Sequence, residues 1–235
     1  MTTPSFPPLM SGRAVTGATH PFDMACTLAA EGCDAGLIVH NLTANHLMAA
    51  IVLAPEVPLA EAMVMLPTCG VGFQNAFGAL APPEVAVHLE WSGGLRLNGA
   101  SCGRLRVAAG GTDPEVEPDW LVIGLDLPLM QIAERPGDQP DQTSLYDEGC
   151  AELDPVELLE AWARHSLVWI NTWEDAGPRA LHAEWRGLAW RMGEEITQNG
   201  RTGTFQGVDD RFGMLLREGD TTHLIPLTTL LETQS

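Results

Sequence analysis

The chain changes texture at Arg191, and that change limits the folds open to it. Downstream the segments are short and separated by Gly193, Gly200, Gly203, Gly207, Gly213 and Gly219. Short runs with regular glycine punctuation are the pattern of a small antiparallel barrel. Upstream the chain mixes long helical periodicities with strand-like runs, so a larger unit that holds both kinds of element precedes the barrel.

The upstream elements follow from local signals. Residues 1–20 are rich in Pro, Ser, Thr and Gly and read as an extended arm. Pro21 to Gly32 reads as a short helix, with Pro21 in the first turn, Asp23 near the positive end and Gly32 as a stop. Gly36–Asn41 and Leu47–Leu53 read as strands. Residues 59–80 carry apolar positions at helical spacing, including Met63, Leu66, Phe73 and Phe77, and Pro67 is expected to split them into 59–66 and 68–80. Val85, Val87 and Leu89 alternate on one strand face. Leu95 and Leu97 lead into Asn98-Gly99, a hairpin turn, and Leu105–Ala108 returns. Trp120–Leu127 (WLVIGLDL) is a near-continuous apolar strand. Residues 134–143 read as a loop. Asp154 is a helix N-cap with Pro155 behind it, opening a helix to Trp173, and Pro178–Trp190 forms another.

The charge balance narrows the partners. The 235 residues carry twelve Arg, no Lys, 31 acidic residues and a formal net charge of -19. Codon bias toward arginine could account for much of the missing lysine. An acidic surface of this kind repels phosphate backbones and anionic lipid, which argues against nucleic-acid and membrane partners. The odd set of five cysteines (Cys26, Cys33, Cys69, Cys102, Cys150) has no C-x-x-C spacing and reads as reduced, mostly buried thiols, with no metal site. The first residues lack a signal-peptide pattern and no apolar run reaches a membrane span, so a cytoplasmic location is expected.

Two segments resemble the biotin–protein ligase family, which is related to the lipoate–protein ligases. In EWSGGLRLNGASCGRLR (90–106), Trp91 matches the tryptophan of the family's KWPND pattern, Leu95 and Leu97 the strand, and Asn98-Gly99 the turn that precedes its reactive lysine. WLVIGLDL matches the next family strand, usually a G-x-G-x-N-like run. GVDDRFGMLL (207–216) looks like the family's C-terminal G-I-D-x-x-G-x-L-L hairpin. In element order the resemblance spans 21–232.

The resemblance implies an α+β fold: a mixed β-sheet ligase-like core with helices on one face (1–188) and a small C-terminal Src-homology-3-like β-barrel (189–235). It also implies adenylation of an acid (biotin or lipoate/octanoate) by ATP, then acyl transfer to a carrier protein. Such chemistry needs fixed cations beside the developing anionic oxygens, in a site closed to water. This sequence departs from that pattern. Ser101 stands at the lysine position, Gly93 and Gly94 stand at the Asn and Asp of WPND, and the interval that should hold an arginine-rich loop is only LTANH, 42–46. Arg96, Arg104 and Arg106 are nearby cations that could substitute, although arginine does not reproduce lysine's geometry.

The ligand-binding candidates are therefore Trp91, Gly93, Gly94, Ser101, Cys102, Gly103, Arg104 and His40, with no confident catalytic residue. Ser101 or Cys102 could act as a nucleophile with His40, His46 or His88 as base, though small turn residues and structural histidines are the simpler reading. The expected function is a ligase-like protein that binds a small acyl acid or acyl-adenylate with standard ligation lost or altered. The alternative is a non-enzymatic interaction or dimerisation module, whose own Phe73, Phe77 or Trp91 would fill the pocket. The expected partners are a small acyl ligand, a carrier protein, or a second copy in a homodimer.

Overall fold

A computed structural model describes residues 3–130 and 141–232. Seven strands form one sheet: β1 (Ser11–Ala14), β2 (Leu37–Leu42), β3 (His46–Leu53), β4 (Val87–Leu89), β5 (Gly94–Leu97), β6 (Ala100–Ala109) and β7 (Leu121–Pro128). Their spatial order is β1-β2-β3-β7-β6-β5-β4. Only the β1–β2 pair is parallel, so the sheet is mixed, as expected. β1 lies within what reads as an extended arm. All four of its residues are exposed, so no period-2 burial pattern marks it in the sequence.

Helices α2 (Leu59–Ala62), α3 (Met65–Leu80), α4 (Pro155–Ala176) and α5 (Arg179–Leu188) belong to one face of the sheet. The core there joins Phe73, Phe77 and Trp162 to Ile38, Ile51, Leu105, Ile123 and Leu125. The expectation of helices on one face holds for these four and needs a correction for α1 (Pro21–Ala30). Phe22, Ala25, Cys26 and Ala29 pack on Val39, Ala50, Val52, Ala108 and Val122, the opposite face. The near-continuous apolar run of β7 has this cause: Leu121, Ile123, Leu125 and Leu127 serve the four-helix side, and Val122 serves α1.

Local signals set the helix ends. Asp154 accepts the Val156 N–H at 2.8 Å, and Pro155 opens α4. His20 caps α1 by accepting the Phe22 N–H at 3.2 Å. The break in 59–80 falls at Met63–Val64 and not at Pro67. Pro67 lies in the first turn of α3, where a missing N–H removes no intrahelical bond. Asn98 (φ 48°) and Gly99 (φ 90°) make the β5–β6 turn as expected.

The C-terminal part is a four-stranded antiparallel sheet of β8 (Glu195–Gln198), β9 (Arg201–Val208), β10 (Met214–Glu218) and β11 (Thr221–Ile225) in the order β11-β10-β9-β8. It is seated on the core by Trp185, which packs edge-on against Phe205 and Phe212. Of the loop expected at 134–143, residues 134–140 lie outside the described residues.

Candidate functional site

The pleat of the central strands builds a polar strip on the α1 face. Asn41, Met48, Asp126 and Arg104 are cross-strand partners in one row over β2, β3, β7 and β6. Val39, Ala50, Gly124 and Arg106 form the next row. Directly opposed residues project to the same face. α1 covers the second row: a Cβ on Gly124 would lie 2.5 Å from Phe22, and the Arg106 guanidinium sits 4.2 Å over the Phe22 ring. In the first row Asn41 is buried, Met48 and Asp126 are half-buried and Arg104 is exposed, with His20 and Asp23 of the α1 start nearby.

The charges in this strip are unevenly paired. Arg106 is held by the Glu232 carboxylate, its Nε donating to Oε1 at 2.9 Å and to Oε2 at 3.0 Å. That bond holds Glu232 below the usual carboxylate range against the opposing effect of burial, and Arg104 and His20 add to the lowering. The Glu232 N–H also donates to the Val107 carbonyl at 3.0 Å, which ties the end of the chain to β6. Arg104 is exposed, and its guanidinium makes no hydrogen bond or ion pair among the described residues.

Asp126 is the half-buried anion of the first row. His46 Nε2 lies 3.1 Å from Asp126 Oδ1, a buried oxygen, within ion-pair and hydrogen-bond reach. Hydrogen bonding by His46 is the main cause that lowers the Asp126 pKa. Burial opposes it, and the fields of His20 and Arg104 assist.

The expected ligand-binding residues do not all converge. Ser101 pairs with Arg96 on the α1 side of β6, and its backbone is bonded to Asp141 O (2.8 Å) and the Thr143 N–H (2.9 Å). Gly103 (φ 88°) passes so close to β7 that an added Cβ would run into the Asp126 carbonyl oxygen. Ser101, Gly103 and Arg104 thus belong to one edge of the strip. Cys102 points the other way, is fully buried in the four-helix core, and its thiol is pushed up to about 12 by desolvation, so it is not presented as an acyl acceptor.

Trp91, Gly93 and Gly94 lie at the β4–β5 turn. The cavity they line with Leu66 and Leu105 holds about 10 Å³, room for about one water and not for an acyl chain. His40 is buried beside Phe6, away from the strip. Phe73 and Phe77 fill the four-helix core and leave the strip open. Among the described residues, no group of three or more metal-ligating side chains occurs.

Two substitute cations are already engaged. Arg96 bonds Glu90 (2.5 Å) and Gly99 O (2.8 Å) and stacks on Trp190 at 4.9 Å, while Arg106 holds Glu232. The interval 42–46, where the resemblance puts an arginine-rich loop, is a tight turn: the Thr43 N–H donates to His46 O at 2.9 Å, and the Thr43 hydroxyl bonds Asn45 Oδ1 at 2.9 Å. Sequence reasoning missed the role of Asp126, although a lone carboxylate inside WLVIGLDL was a visible signal.

Comparison with known proteins agrees with this architecture. The model of the Biotin/lipoate A/B protein ligase family matches residues 6–187, and a domain of unknown function (DUF4444) matches 192–233. The chain is 25% identical over 193 residues to a biotin–[acetyl-CoA-carboxylase] ligase of Paracoccus denitrificans, covering 79% of each. It is 61% identical, with a TM-score of 0.94, to the crystal structure of a biotin protein ligase-like protein of unknown function from Silicibacter sp. TM1040, covering 98% of this chain and 100% of that one. The apo biotin protein ligase of Aquifex aeolicus shares the fold at 15% identity and a TM-score of 0.73, covering 92% of this chain and 96% of that one. The chain belongs to the biotin/lipoate A/B protein ligase family.

Proposed function

We propose that this chain binds a small acyl acid on the α1-face strip and that standard ATP-dependent ligation is lost or altered. The observation that carries this reading is the state of the cations. Among the described residues Arg104 alone of Arg96, Arg104 and Arg106 is unpaired; by the resemblance Ser101 stands at the family's lysine position, and a tight turn stands where the arginine-rich loop is expected. One free guanidinium suits one carboxylate. A triphosphate and its adenylate call for several fixed cations, and Asp23, Asp126 and Glu232 around the strip repel them.

Residues 1–188 are the proposed ligand-binding unit and 189–235 the appended one. By resemblance the acid is biotin, lipoate or octanoate. A carrier protein of the kind that the Paracoccus relative's name implies for that protein, or a second copy of the chain, is the proposed macromolecular partner. Among the described residues, no helix is long and apolar enough to cross a membrane. A cytoplasmic location is part of the proposal.

Thermal shift against the three acids, with and without ATP, tests the reading. A ligand at about 100 times its Kd adds about 2.7 kcal/mol, which raises the melting point by roughly 5–10 °C at this size. A shift with an acid that ATP does not enlarge is expected. No shift with any acid or adenylate mimic favours the interaction-module alternative.

A further inference from the structure

We infer that the strip is built for a zwitterion, an α-amino acid whose carboxylate meets Arg104 and whose ammonium group meets Asp126. The inference rests on the reading above that Arg104 takes a small acid's carboxylate, and it moves the preferred ligand from the plain acids of the family resemblance to an amino acid.

Asp126 and Arg104 are register partners on β7 and β6, on the same sheet face. Their Cα atoms are one strand spacing apart, about 4.5–5.5 Å. The two side chains nevertheless form no ion pair with each other. Each keeps unused capacity: the Arg104 guanidinium has no partner among the described residues, and the Asp126 side chain is 25% exposed while His46 meets its Oδ1, so the other carboxylate oxygen is the one a ligand can reach. An aspartate in an otherwise apolar strand is costly to bury unless something donates to it. His46, at 3.1 Å, meets only one of the two carboxylate oxygens among the described residues.

A plain carboxylic acid fits this pair poorly. Docked on Arg104, its anion lies beside the Asp126 anion, and Arg106 cannot offset the repulsion because Glu232 already neutralises it. An ammonium group one carbon from the carboxylate reverses the sign of that interaction. At such separations, partly screened, the difference amounts to at least about tenfold in affinity. Met48, half-buried and directly opposite Asp126 on β3, provides an apolar surface for the ligand's side chain.

The test is calorimetric titration at pH 8, above the ordinary titration range of imidazole, with 2-aminooctanoate, octanoate and octylamine as matched probes. The wild type should bind 2-aminooctanoate at least about tenfold (about 1.4 kcal/mol) more tightly than octanoate, with octylamine weaker than the amino acid. Asp126→Asn should close or reverse the gap between the two acids, and Arg104→Gln should weaken both. Circular dichroism would confirm that both variants fold. Octanoate binding as tightly as 2-aminooctanoate, or a gap unchanged in Asp126→Asn, overturns the zwitterion inference and leaves the small-acid reading standing. If neither acid binds the folded wild type, the small-acid reading fails and this inference fails with it.

Discussion

The indole Nε1 of Trp91 donates to the carbonyl oxygen of Phe212, 121 residues further along the chain, at 2.7 Å. The bond is buried and joins the β4–β5 turn to the C-terminal sheet. Trp91, which the family resemblance marks as a ligand-site residue, is therefore engaged in holding the two parts together. Trp91→Phe keeps the apolar bulk and leaves a buried carbonyl without its donor. It should cost about 1–3 kcal/mol, a fall of roughly 2–12 °C in Tm by calorimetry. An unchanged Tm would show that the bond contributes nothing.

Gly103 allows β6 to run close against β7. Its φ of 88° disfavours any side chain, and an added Cβ would also meet the Asp126 carbonyl oxygen. Gly149 has a similar φ of 81° with nothing within 4 Å of an added Cβ. Gly149→Ala should therefore cost only the conformational strain, about 1–2 kcal/mol. Gly103→Ala should cost clearly more, roughly 3 kcal/mol or above, since strain and clash add. Urea denaturation of the two variants checks the order, and equal midpoints would refute it.

The Arg106–Glu232 pair should make stability depend on acid. Glu232 is depressed below its ordinary value by the Arg106 bond. A carboxylate of this kind contributes stability above its unfolded pKa and loses it as pH falls through the folded pKa. The window therefore opens below about pH 4.5, the ordinary glutamate value. Glu232→Gln should flatten this part of the Tm-against-pH curve and lower Tm slightly at pH 7. Parallel wild-type and variant curves down to pH 3 would contradict the assignment. The pair is partly exposed, so high salt should also shrink the difference.

Thiol labelling tests the orientation of β6. Cys33 is partly exposed, whereas Cys69 and Cys102 are fully buried with thiols pushed up to about 12. Iodoacetamide at pH 8 should modify Cys33 in the native protein and reach Cys69 and Cys102 only after unfolding, as read by peptide mass spectrometry. Native-state labelling of Cys102 at the rate of Cys33 would restore it as an acyl-acceptor candidate.

Much of the fold is legible wherever the signal is local. Asp154-Pro155 marks the start of α4, Asn98-Gly99 marks the hairpin, and the glycine spacing after Arg191 marks the small C-terminal sheet. Other features depend on partners far away in sequence. β1 is an exposed edge strand that exists through its pairing with β2. α1 takes the second face because Gly124 leaves room for Phe22. The helix break at Met63–Val64 reflects packing and not Pro67, whose first-turn position is compatible with a helix. In the candidate site, Ser101 and Arg104 could be read from the hairpin, but the Glu232–Arg106 contact spans 126 positions and has no local signature.

ATP–pyrophosphate exchange is the most direct test of the central claim that this family member has lost standard adenylation. The assay would offer biotin, lipoate and octanoate with magnesium and ATP to the wild type and to Ser101→Lys. The account predicts no acid-dependent exchange above background from either protein, because a tight turn at Thr43–Asn45 stands where the resemblance puts the arginine-rich loop, and a lysine alone supplies too few fixed cations. Acid-dependent exchange by the wild type would contradict the account outright, and exchange gained only by Ser101→Lys would show that the loop is dispensable.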